Sequence, residues 1–235
     1  MNHLRILIMT AVEAERAAVM RGLDSYKNAE VRIAGVGPAA AAASTATVLT
    51  LAGVTGGLLS IPTEDRPVAK SFDLVISAGI GGGFADIAPI GSLVVASDII
   101  AADLGAETPE GYVSVDKLGF GASHISTEQK LSRRWTQALQ AAGLAASHAP
   151  VLTLSTVTGT AATARDLALR YPGVGAEAME GYGVAEAARQ FNLPSLELRA
   201  ISNTVGPRER ESWKIGEALQ ALEQACTILT EVLSS

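Results

Sequence analysis

Apolar residues in this chain come in short runs separated by stretches with helical spacing. Arg5 to Met9 reads as a first strand, and Thr10 as a cap for the following helix with Glu13 in capping-box position. Val31 to Ala34 is a second strand. The Gly35-Val36-Gly37-Pro38 turn follows, and Pro38 suits the first position of an Ala-rich helix running to Leu51. Gly53 to Ser71, with two adjacent glycines, two prolines and several charges, reads as a loop. Leu74 to Ser77 is a buried strand ending in a Gly-rich turn, Ala78 to Gly83, and Ser92 to Ala101 is a longer apolar strand. Asp103 to Gly121 reads as irregular. Thr127 to Ala142 is an amphipathic helix, Val151 to Thr156 a strand, and Ala162 to Tyr171 a helix. Ala178 to Gln190 holds a strand end and then a helix. Leu196 to Ile201 is a last strand and Ile215 to Leu233 a closing helix.

Strands alternating with helices imply an α/β fold around a mostly parallel or mixed sheet. Its carboxyl edge should gather Glu13 and Glu15, the Gly35 and Gly79 turns, the Thr156 region, Met179-Glu180 and Asn203. Open α/β folds place their ligands at such an edge. The 235 residues contain no linker-like stretch between two cores, so a single domain, 1–235, is expected. Hydrophobic residues make up 48% of the chain, with few aromatics, which suits a buried sheet covered by Ala-rich helices. The formal net charge of −6, with lysines and arginines scattered, argues against a nucleic-acid surface. No segment has the unbroken apolar length of a membrane helix, and the N-terminus lacks a signal-peptide pattern. A soluble cytoplasmic protein without a membrane partner is the expectation.

The single Cys226 lies among Leu222, Ile228 and Leu229 and reads as a small core residue. His3, His124 and His148 are isolated, so neither cofactor nor metal is expected. Gly35 to Ala40 fits a GxGxxA dinucleotide pattern, but it does not follow the first strand and lacks the later acidic residue that would hold a ribose. The Gly79-Ile80-Gly81 segment reads better as a close approach of backbone to a ligand. Of Glu13 and Glu15, only one is expected to point into a site. Glu180, flanked by Met179 and Gly181, is a candidate ligand-facing carboxylate. Ser202 and Asn203 end the last strand. The Asn amide offers a donor and an acceptor side by side, which suits the O6/N7 edge of a 6-oxopurine, whereas an Asp suits the N7/N6-amino edge of adenine.

Taken together, these segments resemble the nucleoside phosphorylase and nucleosidase family, in particular the methylthioadenosine/S-adenosylhomocysteine nucleosidases. Ile6 to Glu15 looks like the family's strand and triple-Glu segment, whose third Glu, the general base, falls on Glu15. Gly79 to Gly82 matches its Gly-rich loop, Ala178-Met179-Glu180-Gly181 its ribose-binding Glu-Met-Glu-Ala, and Arg199 to Asn203 its Arg-Ala-Ile-Ser-Asp. Three positions depart: Ala14 replaces the middle Glu, Ala178 replaces the first Glu of the ribose motif (with Glu177 one place earlier), and Asn203 replaces the catalytic Asp. The last change, with Asn203 to Arg208, Trp213 and Ala102 to Glu107, is similar to a subfamily that releases hypoxanthine from a nucleoside bearing a benzoate on its 5′ extension.

The resemblance implies a single-domain, three-layer fold with a central mixed, partly barrel-like sheet flanked by helices. It also implies purine nucleoside N-glycosyl hydrolysis and a homodimer or higher homo-oligomer. Glu15 would activate water, Glu180 would bind the ribose hydroxyls, Met179 would pack under the sugar, and Asn203 would hold the base. Val157 and Thr158 are candidates for the base pocket by position. Arg208, Arg210 or Lys214 would meet the benzoate carboxylate. Phosphate as nucleophile would need cations or donors at the Gly-rich turns, where Ile80 stands instead. The alternatives are a methylthioadenosine/S-adenosylhomocysteine nucleosidase or one taking the adenine-bearing analogue of that substrate, a 6-oxopurine nucleoside phosphorylase, and a purine-nucleoside binding protein without catalysis.

Overall fold

The structure, a computed structural model, describes residues 4–55 and 72–234. His3 and most of the expected Gly53–Ser71 loop lie outside the described residues, while 53–55 complete a helix. The strands are β1 (Ile6–Thr10), β2 (Ala29–Ile33), β3 (Leu74–Gly83), β4 (Leu93–Ala101), β5 (Gly105–Thr108), β6 (Gly111–Ser114), β7 (His124–Ser126), β8 (Ala146–Thr153), β9 (Ala176–Ala178) and β10 (Ser195–Thr204). The α-helices are α1 (Glu13–Gly22), α2 (Pro38–Thr55), α3 (Val115–Leu118), α4 (Gln129–Ala141), α5 (Ala161–Arg170), α6 (Gly181–Gln190) and α7 (Ile215–Ser234).

Strand order in the main sheet is β10-β4-β8-β9-β3-β1-β2, and β10 also pairs with β3. That extra pairing closes β3, β10, β4, β8 and β9 into a ring, so the mixed sheet is partly a barrel. Two helical layers cover it. The apolar faces of α1, α4 and α7 pack on Ile6, Ile8, Ile76, Leu196 and Leu198. On the other side Ala41 and Leu49 of α2 and Val184 and Ala188 of α6 meet Leu7, Met9 and Val75. Trp135 is fully buried in the first layer and donates its Nε1–H to the Ala225 carbonyl at 3.1 Å. No described helix is long and apolar enough to cross a membrane.

Several boundaries differ from the sequence expectation. Val12, not Thr10, is the N-cap of α1; Glu15 is the third helical residue and reaches back to the chain entering the helix. The Gly-rich segment after Ser77 is not a turn. It continues β3 to Gly83 and pairs with β10 throughout. Its glycines make room for side chains: a Cβ on Gly79 would sit 2.5 Å from Glu15 Oε1, and one on Gly81 2.8 Å from the Glu177 carbonyl. The stretch from Asp103 holds a hairpin (β5–β6), a helical turn (α3) and an edge strand (β7), whose few apolar residues left no visible alternation. β8 begins at Ala146 because its pairing to β4 carries it through His148 and Pro150. Finally, β10 runs past Ile201 to Thr204. A bulge breaks its register with β3 between Ile201 and Asn203. Such an insertion re-aims side chains, and here Ser202 and Asn203 both reach the same cavity.

Candidate active site

The cavity, about 260 Å³, lies where β1, β3, β9 and β10 end. Ala11, Val12 and Glu15 enter from β1–α1, Ile80, Gly81 and Gly82 from β3, and Glu177 to Glu180 from β9 and the start of α6. Ser202, Asn203 and Thr204 of β10, Val157, Thr158, Arg208 and Trp213 complete it.

Glu15 is 3% exposed and its carboxylate is held by three backbone donors. Oε2 accepts from the N–H groups of Ala11 (2.9 Å) and Val12 (3.2 Å), and Oε1 from that of Ile80 (2.9 Å). Burial raises its pKa, against the pull of the Arg199 guanidinium and these N–H groups. A carboxylate adjusted upward toward neutrality, yet fixed in direction, is suited to take a proton from water. Glu13 points away and pairs with Arg16 on the surface.

Beneath the cavity lies a buried polar cluster. Arg199 is 1% exposed; its Nε donates to Glu197 Oε1 and its Nη2 to Ser77 Oγ, each at 2.8 Å. Its Nη1 lies 3.4 Å from Glu180 Oε2. Glu180 also accepts from Gly37 N–H at 3.3 Å, and Gly37 adopts φ +92°, so the second expected Gly-rich turn does reach the site. Glu197 is fully buried, which raises its pKa, and its second oxygen has no hydrogen-bond partner among the described residues. A Cβ on Gly181 would come within 2.2 Å of that oxygen, so a larger residue at 181 would require the Glu197 carboxyl to move. Three carboxyls thus share one guanidinium. Burial pushes two of the three, Glu15 and Glu197, toward the neutral form, and Arg199 opposes that shift.

Asn203 is held from both sides: its Oδ1 accepts from Ser202 Oγ at 2.9 Å and its Nδ2 donates to the Thr204 carbonyl at 3.1 Å. One amide N–H and one carbonyl lone pair remain for a ligand. Glu15 lies against Gly79 and Asn203 against Gly82 of the same strand, where a Cβ would be 3.3 Å from Asn203 Nδ2.

Of the residues singled out from sequence, Glu15, Ile80, Gly81, Val157, Thr158, Met179, Glu180, Ser202, Asn203 and Arg208 line this cavity. Gly79 lies behind it, giving space to Glu15 and Arg199. Arg210 stands outside the lining and reaches the site only over the Trp213 ring (5.8 Å), which Arg208 also covers (5.2 Å). Lys214 pairs with Glu217 at the surface. Glu177 and Glu197 were given no role from sequence. Their one visible signal is a carboxylate inside an otherwise apolar strand, where an unpaired charge is costly. Among the described residues no group of three or more His, Cys, Asp or Glu side chains is arranged to hold a metal.

A mixed, partly closed sheet thus carries a strand-end cavity with buried glutamates at one end and an amide at the other. The chain belongs to the phosphorylase superfamily, whose family model matches residues 6–235. It is 50% identical to the futalosine hydrolase of Streptomyces coelicolor, over 99% of this chain and 97% of that protein. The futalosine hydrolase of Acidothermus cellulolyticus is 42% identical, over 95% of this chain and 89% of its own length. Among solved structures, an S-adenosylhomocysteine nucleosidase from Streptococcus pyogenes in complex with 5-methylthiotubericidin shares the fold. Its TM-score is 0.76 at 18% identity, over 98% of both chains. The futalosine hydrolase of Helicobacter pylori gives 0.71 at 16% identity, over 99% of this chain and 97% of that one.

Proposed function

We propose that the chain hydrolyses the N-glycosidic bond of futalosine and releases hypoxanthine. The observation that carries the reading is the ordering along β3: a backbone-held carboxylate, Glu15, at Gly79 and a fixed carboxamide, Asn203, at Gly82. Full-length likeness to two futalosine hydrolases supports it.

In this mechanism Glu15 orients a water and takes its proton as the water attacks the anomeric carbon. Glu180, steadied by Arg199 and Gly37 N–H, accepts from the ribose hydroxyls, and its charge favours the oxocarbenium-like sugar. Met179 packs under the sugar. Asn203 donates its remaining N–H to O6 of the leaving base, where negative charge develops. Ile80 lines the cavity, and Arg199, the cation buried beneath it, is already engaged by Glu197 and Glu180. Neither offers a seat for a phosphate dianion, which favours water as the nucleophile. On this reading the enzyme acts in the cytoplasm, in menaquinone biosynthesis, as a homo-oligomer.

Chromatography of the released base tests the reading. Futalosine, methylthioadenosine and inosine are each incubated with and without phosphate. Hypoxanthine from futalosine, independent of phosphate, is the expected result; adenine from methylthioadenosine alone would overturn it. In the same assay Asn203→Asp should shift preference toward adenine-bearing substrates by at least about tenfold, since a site loses an analogue that leaves its polar groups unpaired. An unchanged preference would remove the role assigned to the amide.

The benzoate carboxylate of futalosine needs a cation, and we assign it to the Arg208–Arg210 pair around Trp213. The Arg208→Ala, Arg210→Ala double variant should raise KM for futalosine about tenfold, a loss typical of a charged hydrogen bond. KM for the methyl ester of futalosine should hardly move. An equal rise for both would instead tie Arg208 to the base end of the cavity, where its stem lies 3.9 Å from the Cβ position of Gly159.

A further inference from the structure

β9 is three residues long, and its middle residue, Glu177, pairs with Gly82 across the strand and with Leu152 on the other side. The Glu177 side chain lines the cavity, and the residue is 5% exposed. Its Oε1 accepts from Thr158 N–H at 2.9 Å. Its Oε2 is buried and has no hydrogen-bond partner among the described residues, and the same holds for Thr158 Oγ1. Two orphaned polar atoms in one wall are costly in a protein interior and mark a place where a ligand completes the pairing. That wall adjoins the amide: a Cβ on Gly82 would stand 3.3 Å from Asn203 Nδ2 and 3.5 Å from Glu177 Cγ.

The neighbouring groups of a purine edge differ in sign between the two bases. Hypoxanthine presents the O6 acceptor beside an N1–H donor; adenine presents an N6 amino donor beside an N1 acceptor. An amide carries both a donor and an acceptor, whereas an ionised carboxylate only accepts. We propose that Glu177 is the residue that selects the base: its free Oε2 accepts from N1–H of a 6-oxopurine whose O6 is held by Asn203. The Thr158 hydroxyl flanks it and serves a second polar atom of the same ring. This rests on the reading of the cavity as a hypoxanthine-releasing site and adds to it a side chain that rejects adenine. Burial raises the pKa of Glu177, and the hydrogen bonding from Thr158 works against it in favour of the charged form.

The test uses the intact enzyme and two readouts. In the first, kcat/KM is measured for futalosine and for its adenine-bearing counterpart with wild type, Glu177→Gln and Thr158→Val. Glutamine keeps the shape, but whichever way it turns its NH2 faces either Thr158 N–H or N1–H. Glu177→Gln should lose about 10–100-fold on futalosine, as for a hydrogen bond to a charged group, and little or nothing on the adenine counterpart. Thr158→Val should lose several-fold on futalosine. In the second, calorimetry on wild type compares hypoxanthine with 1-methylhypoxanthine, which lacks the N1–H; the methylated base should bind at least about tenfold more weakly. The proposal is overturned if a folded Glu177→Gln keeps the wild-type ratio between the two substrates, or if the two bases bind wild type equally. Failure of wild type to release hypoxanthine from futalosine would instead sink the underlying reading.

Discussion

Glu15→Gln is expected to lower kcat for futalosine hydrolysis by about 10²–10⁴-fold, the usual contribution of a positioned general base. The isosteric amide can still accept from Ile80 N–H or from the Ala11 and Val12 N–H pair, so the β1–α1 turn should keep its shape. It cannot take the proton. Substrate affinity should therefore change far less than turnover, with KM within a few-fold of wild type. The pH profile separates this role from a structural one. In wild type, kcat/KM should fall toward acid as Glu15 takes up a proton, with a midpoint above the ordinary carboxylate range because burial raises its pKa. That acid limb should be missing from the residual activity of the variant. A Glu15→Gln enzyme with near wild-type kcat would transfer the base role elsewhere.

Arg199→Ala should destabilise the fold by about 3–5 kcal/mol, because removing one partner of a buried ion pair leaves the other uncompensated. Here the loss falls on more than one group. Glu197 would lose its 2.8 Å donor, and Glu180 its guanidinium at 3.4 Å, both in a cluster almost closed to water. For a domain of this size the thermal midpoint should drop by roughly 10 °C or more. Arg199→Lys should recover part of the loss, since the charge returns but the planar fork that reaches Glu197, Ser77 and Glu180 together does not. A midpoint within about 2 °C of wild type in Arg199→Ala would show that the cluster relaxes or takes up protons without cost.

Much of this molecule was readable from the order of its residues. Short apolar runs marked the inner strands, and Pro38 and the Ala-rich stretch after it marked α2. The motif at Arg199 to Asn203 and the carboxylates at 15 and 180 converge on one cavity, as their positions at strand ends suggested. What stayed hidden depended on partners distant in the chain. The ladder between β3 and β10 holds Ala78 to Gly83 extended, although a run of glycines reads locally as a turn. The β5–β6 hairpin buries so little that no alternation shows. Val12 caps a helix although its side chain has no acceptor for the first-turn N–H groups; only the reciprocal contact, Glu15 Oε2 on Val12 N–H, is made. Glu177 and Glu197 carried no role in the sequence reading; the approach of Thr158 to one and Arg199 to the other, both distant from any local signal, accounts for their burial.

The irregular step near the end of β10 has an evolutionary corollary. In an unbroken ladder each residue is tied by its parity to the interior or the exterior, and exchanging a ligand contact disturbs whatever lies beneath. The extra residue between Ile201 and Asn203 releases that constraint. Ile201 stays anchored in the hydrophobic interior while Ser202 and Asn203, bonded to each other, both reach the cavity. Contacts made from 202 and 203 can thereby be exchanged by single codon changes without renegotiating the architecture, and a directed-evolution library confined to those two positions should return mostly folded proteins.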